Sequence, residues 1–248
     1  MISVVIPARN EEKCIGVCLQ SLKKQDYTGE YEVIVVDNES GDGTAAVARS
    51  LGASVVCCEG KDGIAQVRQT GADAVQGDII VQADADTVYP PQWLTAIARQ
   101  FTSHPEAVAL AGRYYYTESL WWAGIEYTVR LGINRATAAL LGRPLVISGA
   151  TFAFRKSAFQ EINGYHGLTF SADQYGISSR LGKAGKVLYD KDLIVHTSPR
   201  RVARKRAAVL LFEVLVNFGR WNIYLCKQCL NNTAKSKRKK ETNRGTLQ

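Results

Sequence analysis

The sequence lacks long apolar runs and metal-binding cysteine patterns, and these absences narrow the class of protein. No stretch of about 18 uninterrupted apolar residues occurs, and the first apolar run, Ile2 to Ile6, leaves no room for the charged start of a secretory signal. The six cysteines form no pair of Cys-x-x-Cys knuckles and have no neighbouring histidine ligands. We therefore expect a cytoplasmic globular protein with reduced thiols and without a zinc site.

The body of the chain also lacks a strongly basic charge. The net charge is +8, but residues 231–248 contain six Lys or Arg and one Glu, so the preceding 230 residues carry only +3. No nucleic-acid recognition motif accompanies this charge, and we expect no nucleic-acid partner. The polar, Lys-rich end predicts a disordered basic tail over 231–248 that could rest on an anionic membrane surface.

Strand-like and helix-like segments alternate along the first hundred residues. Strand-like runs lie at Ser3 to Ile6, Glu32 to Val36, Ser54 to Cys57 and Asp78 to Gln82, and helical spacing follows at Glu12 to Lys24 and Thr44 to Leu51. This alternation predicts an α/β fold with a mostly parallel central sheet and helices on both faces. The carboxyl ends of the strands should then meet at one edge, where ligands bind in open α/β sheets.

Three polar, acid-bearing loops follow the predicted strands at that edge. They are Pro7 to Glu12, Asp37 to Thr44, and Asp84-Ala-Asp86. An Asp-x-Asp pair alone is also ordinary turn chemistry, and Asp42 is best explained as a helix-capping residue. Two acids at a strand end nevertheless make an oxygen-rich corner suited to a hard divalent cation and the phosphates that it carries.

The second half of the sequence has a different character. An aromatic stretch, Arg113 to Trp122, precedes a helical segment at Ala123 to Leu141 and a Gly-containing strand-like run at Val146 to Phe154. The aromatic side chains could stack on a ligand, touch a membrane or belong to the core. An amphipathic helix is predicted at Ala207 to Cys226, and it could pack on the body or lie on a bilayer.

Six segments in this order resemble the inverting glycosyltransferases of family 2, which have the nucleotide-diphospho-sugar (GT-A) fold. The matching segments are Val4 to Glu12, Val35 to Thr44, Gly63 to Gly71, Asp84 to Asp86, Ser148 to Arg155 and Ala172 to Leu181. We expect a nucleotide-sugar-binding half over 1–100 and an acceptor-binding half of the same domain over 101–198. A basic segment with the amphipathic helix over 199–230 and the tail over 231–248 would follow.

The resemblance implies a set of donor-binding residues. Asp37 would hydrogen-bond the donor base, and the chain around Pro7, Ala8, Arg9 and Glu11 would wrap the nucleoside. Arg68 would hold the base or a phosphate, although a surface helix charge paired with a neighbour is an equal alternative.

The resemblance also implies a metal site at the acidic corner. Asp86, together with Asp84 through ribose or water, would hold Mg²⁺ or Mn²⁺ on the donor diphosphate. His196 stands where relatives supply a third ligand, but a lone histidine is more often a hydrogen-bonded structural group. Arg200 and Arg201 would close over the diphosphate, and a solvated basic face or contact with anionic headgroups are the alternatives.

Asp173 matches the catalytic base of the family. In an inverting transfer, a carboxylate must take the proton of the acceptor hydroxyl as its oxygen attacks the anomeric carbon. Ala172 departs from the family pattern, which usually has Glu there, and this change could alter acceptor contacts. Asp173 could also cap a helix that begins at Gln174, and the two roles are compatible.

The sequence therefore predicts a metal-dependent inverting glycosyltransferase that moves a sugar from a nucleotide-diphosphate donor to the hydroxyl of a saccharide or lipid-linked acceptor. A sugar-phosphate nucleotidyltransferase could use a similar sheet, but its Gly-rich loop after the first strand is absent. A non-catalytic module that binds membranes or polyanions is the third hypothesis. The predicted location is the cytoplasm, including the inner face of the membrane.

Overall fold

A computed structural model describes residues 1–60, 63–118, 123–141, 144, 147–168 and 173–200. In these residues, eight strands form one sheet in the order β3-β2-β1-β4-β7-β6-β8-β5. The strands are β1 (Ile2–Ala8), β2 (Tyr31–Asp37), β3 (Ser54–Cys57), β4 (Ile79–Gln82), β5 (Thr87–Val88), β6 (Ala107–Tyr116), β7 (Phe152–Arg155) and β8 (Lys186–Thr197). The helices are α1 (Glu12–Lys23), α2 (Thr44–Ser50), α3 (Ile64–Asp73), α4 (Trp93–Ser103), α5 (Ala123–Leu141), α6 (Lys156–Glu161) and α7 (Asp173–Ala184).

The first four strands form the parallel half of the sheet. β1 pairs in parallel with both β2 and β4, and β2 pairs in parallel with β3. Their side chains are apolar on both faces: Val4 and Ile6 pack in one buried cluster, and Val5 packs in another. Runs of this kind are typical of parallel strands that helices cover on both sides. The predicted α/β sheet is confirmed in this half.

Two apolar layers enclose the sheet. One layer contains side chains from α1, α2 and α4, including Leu22 and Trp93, and the other contains side chains from α3, α6 and α7, including Phe159 and Leu181. The helices therefore cover both faces, as predicted. In the described part of the chain, no helix is both long and apolar enough to cross a membrane.

The second half of the sheet is mixed. β7 lies antiparallel between β4 and β6, whereas β8 pairs in parallel with β6 and antiparallel with the short β5. Because β7 runs against both neighbours, β6 points in the same direction as β4. The carboxyl ends of β1, β2, β4, β6 and β8 and the amino end of β7 therefore share one edge.

In the second half of the chain, one predicted helix agrees with the structure and one predicted strand is shorter than expected. The helix predicted at Ala123 to Leu141 is α5. The strand predicted at Val146 to Phe154 begins only at Phe152, since Gly149 and Ala150 form a turn. The predicted amphipathic helix, the basic tail, Arg201 and Trp122 lie outside the described residues.

Candidate active site at the carboxyl edge of the sheet

The site lies where β1, β2 and β4 end. Ala8 is opposite Asp37 in the pairing of β1 with β2, and Asp84 follows β4 by two residues. Three loops that are distant in sequence therefore begin at one edge, as the predicted topology requires. Pro7 is half-buried and Ala8 is buried in this edge, whereas Arg9 is exposed.

Asp37 is the last residue of β2, and one of its carboxylate oxygens accepts no hydrogen bond. The residue is 9% exposed, and its Oδ1 atom is buried without a hydrogen-bond partner, as is Oδ1 of the neighbouring Asn38. Buried polar atoms in native proteins are nearly always paired, so two adjacent buried acceptors are typical of a ligand-binding position. They could receive N–H groups from a nucleobase.

The loops after β1 and β2 are tied together by hydrogen bonds. The Glu11 amide donates to Thr44 Oγ1 at 2.8 Å, and the Glu12 amide donates to Asp42 Oδ2 at 3.2 Å. At the same junction, the Gly41 amide donates to Asn10 Oδ1 at 2.8 Å. Asp42 was predicted to cap α2, but the N-cap residue is Gly43 and has no side-chain cap hydrogen bond. The carboxyl group of Asp42 instead accepts hydrogen bonds from the amide and the hydroxyl of Thr44, and the bond from the hydroxyl lowers its pKa.

Sequence reasoning missed Thr44 and Asn10 as parts of this junction. The signal that could have found them is the adjacency of parallel strands, because the loops after two neighbouring strands must lie side by side. Thr44 is fully buried at the start of α2. Its hydroxyl fixes the backbone that carries Glu11.

The Asp84-Ala-Asp86 turn rests on two buried, uncharged side chains. The Asp84 amide donates to the Tyr89 hydroxyl at 2.8 Å, and the Cys18 thiol donates to the Asp84 carbonyl at 3.5 Å. Burial, reinforced by the negative charge of Asp84, raises the pKa of the Cys18 thiol far above its ordinary value. Burial likewise raises the pKa of Tyr89. Both groups stay protonated, so they support the turn without adding charge.

Asp84 forms an ion pair with Arg68 of α3. Arg68 Nη2 lies 3.2 Å from Asp84 Oδ1, and the Arg68 side chain is only 6% exposed. Arg68 is therefore a buried partner of the acidic turn rather than a surface helix charge. Buried ion pairs need further hydrogen bonds or a ligand to offset desolvation.

Asp86 and Glu11 share a second guanidinium group, that of Arg200. Arg200 Nε lies 3.2 Å from Asp86 Oδ2, and Arg200 Nη2 forms an ion pair with Glu11. Burial opposes the charge on Arg200, but the hydrogen bond to Glu11 and the negative charges of Glu11 and Asp86 outweigh it and raise its pKa. Thr197 Oγ1 lies 3.5 Å from Asp86 Oδ1. Arg200 therefore holds the β1 loop and the acidic turn together.

Gly149 brings a fourth segment to the same site. A side chain at this position would collide with the guanidinium group of Arg68 and would lie 3.0 Å from Gln174 Nε2. Gln174 also donates to Gln82 Oε1, at 3.2 Å, near the end of β4. The start of α7, and with it the backbone of Asp173, thus lies beside the acidic turn.

The remaining predicted site residues include His196, Asp173 and Arg201. His196 is exposed on β8, where its ring centroid lies 6.5 Å from that of Tyr115. The neighbouring Thr197, rather than His196, contacts Asp86. Among the residues searched, no three His, Cys, Asp or Glu side chains form a metal-binding group. The side chain of Asp173, and Ala172 and Arg201 as a whole, lie outside what the structure describes.

The arrangement can hold a negatively charged, metal-bearing ligand. At the edge of the sheet, the Arg68 guanidinium group pairs with Asp84, and the Arg200 guanidinium group pairs with Glu11 and Asp86. The guanidinium groups suit phosphate oxygens, and the carboxylates suit a hard cation. This corner lies between the unsatisfied acceptors after β2 and the amino end of α7.

Comparisons with known proteins agree with this geometry. The family model described as "Glycosyl transferase family 2" matches residues 3–163. An N-acetylglucosaminyltransferase from Sinorhizobium fredii is 27% identical over 170 residues, which are 63% of this chain and 41% of that protein. The chain spans less than half the length of the curated relatives that it matches.

Two solved structures share the fold. The mannosyltransferase PcManGT from Pyrobaculum calidifontis, in complex with GDP-Man and Mn²⁺, has a TM-score of 0.63 and 22% identity, with 83% of this chain and 58% of that one covered. Glucosyl-3-phosphoglycerate synthase from Mycobacterium tuberculosis has a TM-score of 0.59 and 22% identity, with 88% and 80% covered. These likenesses show the predicted GT-A fold. Since the family model covers more than half of its residues, the chain belongs to glycosyl transferase family 2.

Proposed function

We propose that this chain is a metal-dependent, inverting glycosyltransferase that uses a nucleotide-diphospho-sugar donor. The observation that carries the proposal is the cluster of Glu11, Asp84 and Asp86 with Arg68 and Arg200 at the carboxyl edge of the sheet. Membership of family 2 favours sugar transfer over the nucleotidyltransferase alternative. The mannosyltransferase from Pyrobaculum calidifontis binds GDP-Man with Mn²⁺, and a similar ligand suits this corner.

The donor set of the acidic turn fits Mg²⁺ or Mn²⁺. Mg²⁺ is usually held by one or two carboxylates, with substrate phosphates and water completing its shell. Asp84 and Asp86 supply carboxylates of this kind, and His196 would need to move from beside Tyr115 to join them. A divalent cation bound there would stabilise the negative charge of the leaving nucleoside diphosphate.

The protein groups then have distinct roles. Asp37 and Asn38 accept hydrogen bonds from the base, and Pro7, Ala8, Arg9 and Glu11 line the nucleoside. Arg68 and Arg200 exchange their carboxylate partners for phosphate oxygens when the donor and its cation arrive, and Arg201 would add a further guanidinium group. This exchange keeps the buried charges compensated in both states.

Asp173 would act as the base. Its position at the amino end of α7, next to Gln174, which touches Gly149 and Gln82, supports this role. The carboxylate takes the proton of the acceptor hydroxyl while the oxygen forms a bond to the anomeric carbon. The bond from that carbon to the diphosphate breaks on the opposite face, so the configuration inverts and the nucleoside diphosphate leaves with the bonding electrons.

A donor-binding titration tests the proposal. Nucleoside diphosphates and their sugars are titrated calorimetrically into the full chain with Mn²⁺ or with a chelator. We expect one base to bind best, and we expect the chelator or Asp86→Asn to weaken binding by about tenfold or more, as loss of a charged contact does. The matched control is Asp192→Asn, which changes an exposed aspartate of β8. Binding that ignores both the metal and Asp86 would contradict the proposal.

Asp173→Asn should slow sugar transfer without weakening donor binding. Loss of a general base should lower the transfer rate by about 10² to 10⁴-fold while donor affinity stays unchanged. Transfer is measured as release of nucleoside diphosphate in the presence of acceptor. Full turnover by Asp173→Asn would exclude this aspartate as the base.

A further inference from the structure

A pocket separate from the donor corner lies between α3 and the turn that follows α6. Its volume is about 400 Å³, and clefts that hold small molecules measure about 300–1,000 Å³. One face of α3 and the turn over 165–168 line it, and none of the residues assigned above to donor or metal binding does so. We call it the α3 pocket.

The first wall of the α3 pocket is one polar face of α3. Four polar residues recur there at three- and four-residue spacing, which places them on the same side of a helix. They are Gln66, Gln69, Thr70 and Asp73. Arg68 lines no part of the pocket, since its side chain extends to Asp84. A ligand in the α3 pocket would therefore leave the donor-binding arginine in place.

The second wall is held against α3 by hydrogen bonds. The Tyr165 amide donates to Gln69 Oε1 at 2.8 Å, and Gln69 Nε2 donates to Asp73 Oδ1 at 2.7 Å. Gly164, at a φ of +51°, lies so close that a side chain there would collide with Gln69 Oε1. The pocket is thus formed before a ligand arrives, and a preformed site loses less conformational entropy on binding.

Arg180 of α7 joins this wall to the helix that begins at Asp173. Its Nη1 atom donates to the carbonyl groups of Gly164 and His166, at 2.8 Å each. Leu168, which lines the pocket, precedes Asp173 by five residues, and five residues span at most about 18 Å. The α3 pocket is therefore a short distance from the proposed catalytic base.

The polar groups of the pocket can both donate and accept hydrogen bonds. Within the described part of the chain, the side chains of the half-buried Gln66 and the exposed His166 make no hydrogen bond. An amide and an imidazole each offer a donor and an acceptor. The Thr70 hydroxyl donates to Cys58 Sγ at 3.4 Å, which leaves its oxygen as an acceptor. A ligand that suits these groups must itself donate and accept.

The lining residues exclude two common classes of ligand. No Lys or Arg among the described residues lines the pocket, so a phosphate group would find no cation there. Asp73 is the one carboxylate in the described lining, and a hard cation such as Ca²⁺ needs six or more oxygen ligands. A neutral molecule with several hydroxyl groups fits better, because each hydroxyl both donates and accepts.

We propose that the α3 pocket is a saccharide-binding site that holds a sugar unit of the acceptor at a distance from the hydroxyl that reacts. The inference rests on the proposed glycosyltransferase function and specifies a neutral glycan as its acceptor. Gln66, Asp73 and His166 bind the hydroxyl groups of this unit, and the half-buried Leu168 contacts its C–H surface. The chain of sugars then leads along the turn to the start of α7.

NMR titration of simple sugars into the isotope-labelled full chain tests this assignment without turnover. D-Glucose, D-mannose, D-galactose and N-acetyl-D-glucosamine are titrated separately, and then short oligosaccharides of any sugar that binds. Inorganic phosphate and glycerol serve as control ligands. The variants are Gln66→Ala and His166→Ala. The matched control is Gln92→Ala, at an exposed position before α4 whose side chain makes no capping hydrogen bond.

We expect at least one sugar to shift the backbone amides of Gln69 and of residues 165–168. Gln66→Ala and His166→Ala should each weaken its binding by about three- to tenfold, as loss of one hydrogen bond does, whereas Gln92→Ala should not. Short oligosaccharides of the same sugar should also shift the amide of Gln174, at the start of α7. Unchanged amide shifts far from the pocket show that the variants are folded.

Four results would overturn the proposal. They are no sugar that shifts the pocket amides, equal shifts with inorganic phosphate or glycerol, equal binding by the pocket variants and the wild-type chain, and oligosaccharides that never affect Gln174. The last result would show that the pocket does not belong to the acceptor site.

Titration with nucleotide sugars and Mn²⁺ keeps this proposal apart from the proposed function. If the chain binds a saccharide in the α3 pocket but no nucleotide sugar, the glycosyltransferase function fails while the saccharide site stands. If it binds a nucleotide sugar near Asp84 but no saccharide, only the acceptor assignment fails. A nucleotide sugar that shifts the pocket amides instead of those near Asp84 would contradict both.

Discussion

Arg200 occupies the position among the carboxylates that a cation could take. Its guanidinium group bridges Glu11 and Asp86, from loops that follow different strands. Without this positive charge, the acids would repel one another more strongly at the edge of the sheet. The residue therefore stabilises the ligand-free site and, in our proposal, turns to the diphosphate when a metal ion binds.

Arg200→Gln should have opposite effects on two ligands. Mn²⁺ alone should bind more tightly, because a neighbouring positive charge is removed, whereas a nucleoside diphosphate with Mn²⁺ should bind about tenfold more weakly, because a phosphate contact is lost. Calorimetric titrations at constant ionic strength measure both effects. Arg49→Gln, at an exposed position of α2, is the matched control. A fall in both affinities would exclude this exchange of partners.

Gly149 is constrained by a contact with Arg68 that the sequence pattern does not predict. Ser148 to Arg155 is one of the segments that carry the family resemblance, but the reason for glycine at 149 is the close approach of the Arg68 guanidinium group. A methyl group at this position must displace that group from Asp84. Backbone pattern cannot predict such an approach, because it depends on how α3 and the turn before β7 meet.

Gly149→Ala should weaken donor binding through Arg68. We expect a loss of about tenfold in affinity for the nucleotide sugar with Mn²⁺, equivalent to about 1.4 kcal/mol. In the Arg68→Gln background, the same change should have little further effect, since the displaced group is already gone. A full double-mutant cycle, measured by calorimetry, compares the effect of Gly149→Ala with and without Arg68→Gln. Additive losses would mean that Gly149 acts by another route.

At the scale of elements, α3 approaches the sheet so closely that only glycine fits at one position. A side chain at Gly71 would collide with Val5 and would lie 2.7 Å from Val36 Cγ2. This close packing sets the depth of α3 and therefore the reach of Arg68 towards Asp84. Gly132 of α5 offers the opposite case, because no atom of the described residues, apart from its chain neighbours and the backbone of its own helix, lies within 4 Å of an added Cβ atom.

Gly71→Ala and Gly132→Ala should change stability in opposite directions. The first should lower the free energy of unfolding by about 1–3 kcal/mol through overpacking, and the second should raise it by about 0.5–1 kcal/mol, since alanine is the better helix former. Urea denaturation of both variants measures the difference. Equal effects would show that α3 is not seated against β1 and β2 as described.

The elements also show why some parts of the fold were predictable and others were not. The continuous apolar runs of β1 and β2 and the helical spacing of α1 identified the parallel half, because these patterns depend on local periodicity. β6 was missed: its aromatic residues Tyr114 to Tyr116 were described only as an aromatic stretch. The insertion of β7 between β4 and β6 joins strands far apart in sequence, and no local pattern encodes it.

The candidate site, like the fold, was predictable only in part. Acids at the ends of β2 and β4 were identified because strand ends in parallel sheets converge, and Asp37 and Asp84 lie at that edge. The partners of those acids were not foreseen. Arg200 pairs with Glu11, 189 positions away, and with Asp86, 114 positions away, and the hydroxyl of Thr44 acts through a loop contact.

At the scale of the whole molecule, the parallel and the mixed half of the sheet bring different segments to one edge. The parallel strands β1, β2 and β4 bring the acidic turn and the buried acceptors of Asp37 and Asn38 together. The mixed strands β7, β6 and β8 bring Gly149 and Thr197 to the same edge. Segments from both halves of the sheet therefore contribute to the candidate site.

In our proposal, a divalent cation on a nucleoside diphosphate binds at Asp86. Crystals of the full chain grown with Mn²⁺ and the best-binding nucleoside diphosphate can be measured at the manganese absorption edge. We expect an anomalous peak within bonding distance of an Asp86 carboxylate oxygen and the diphosphate, with Arg200 moved from Asp86. A nucleotide bound with no manganese at Asp86, or manganese bound elsewhere, would contradict it.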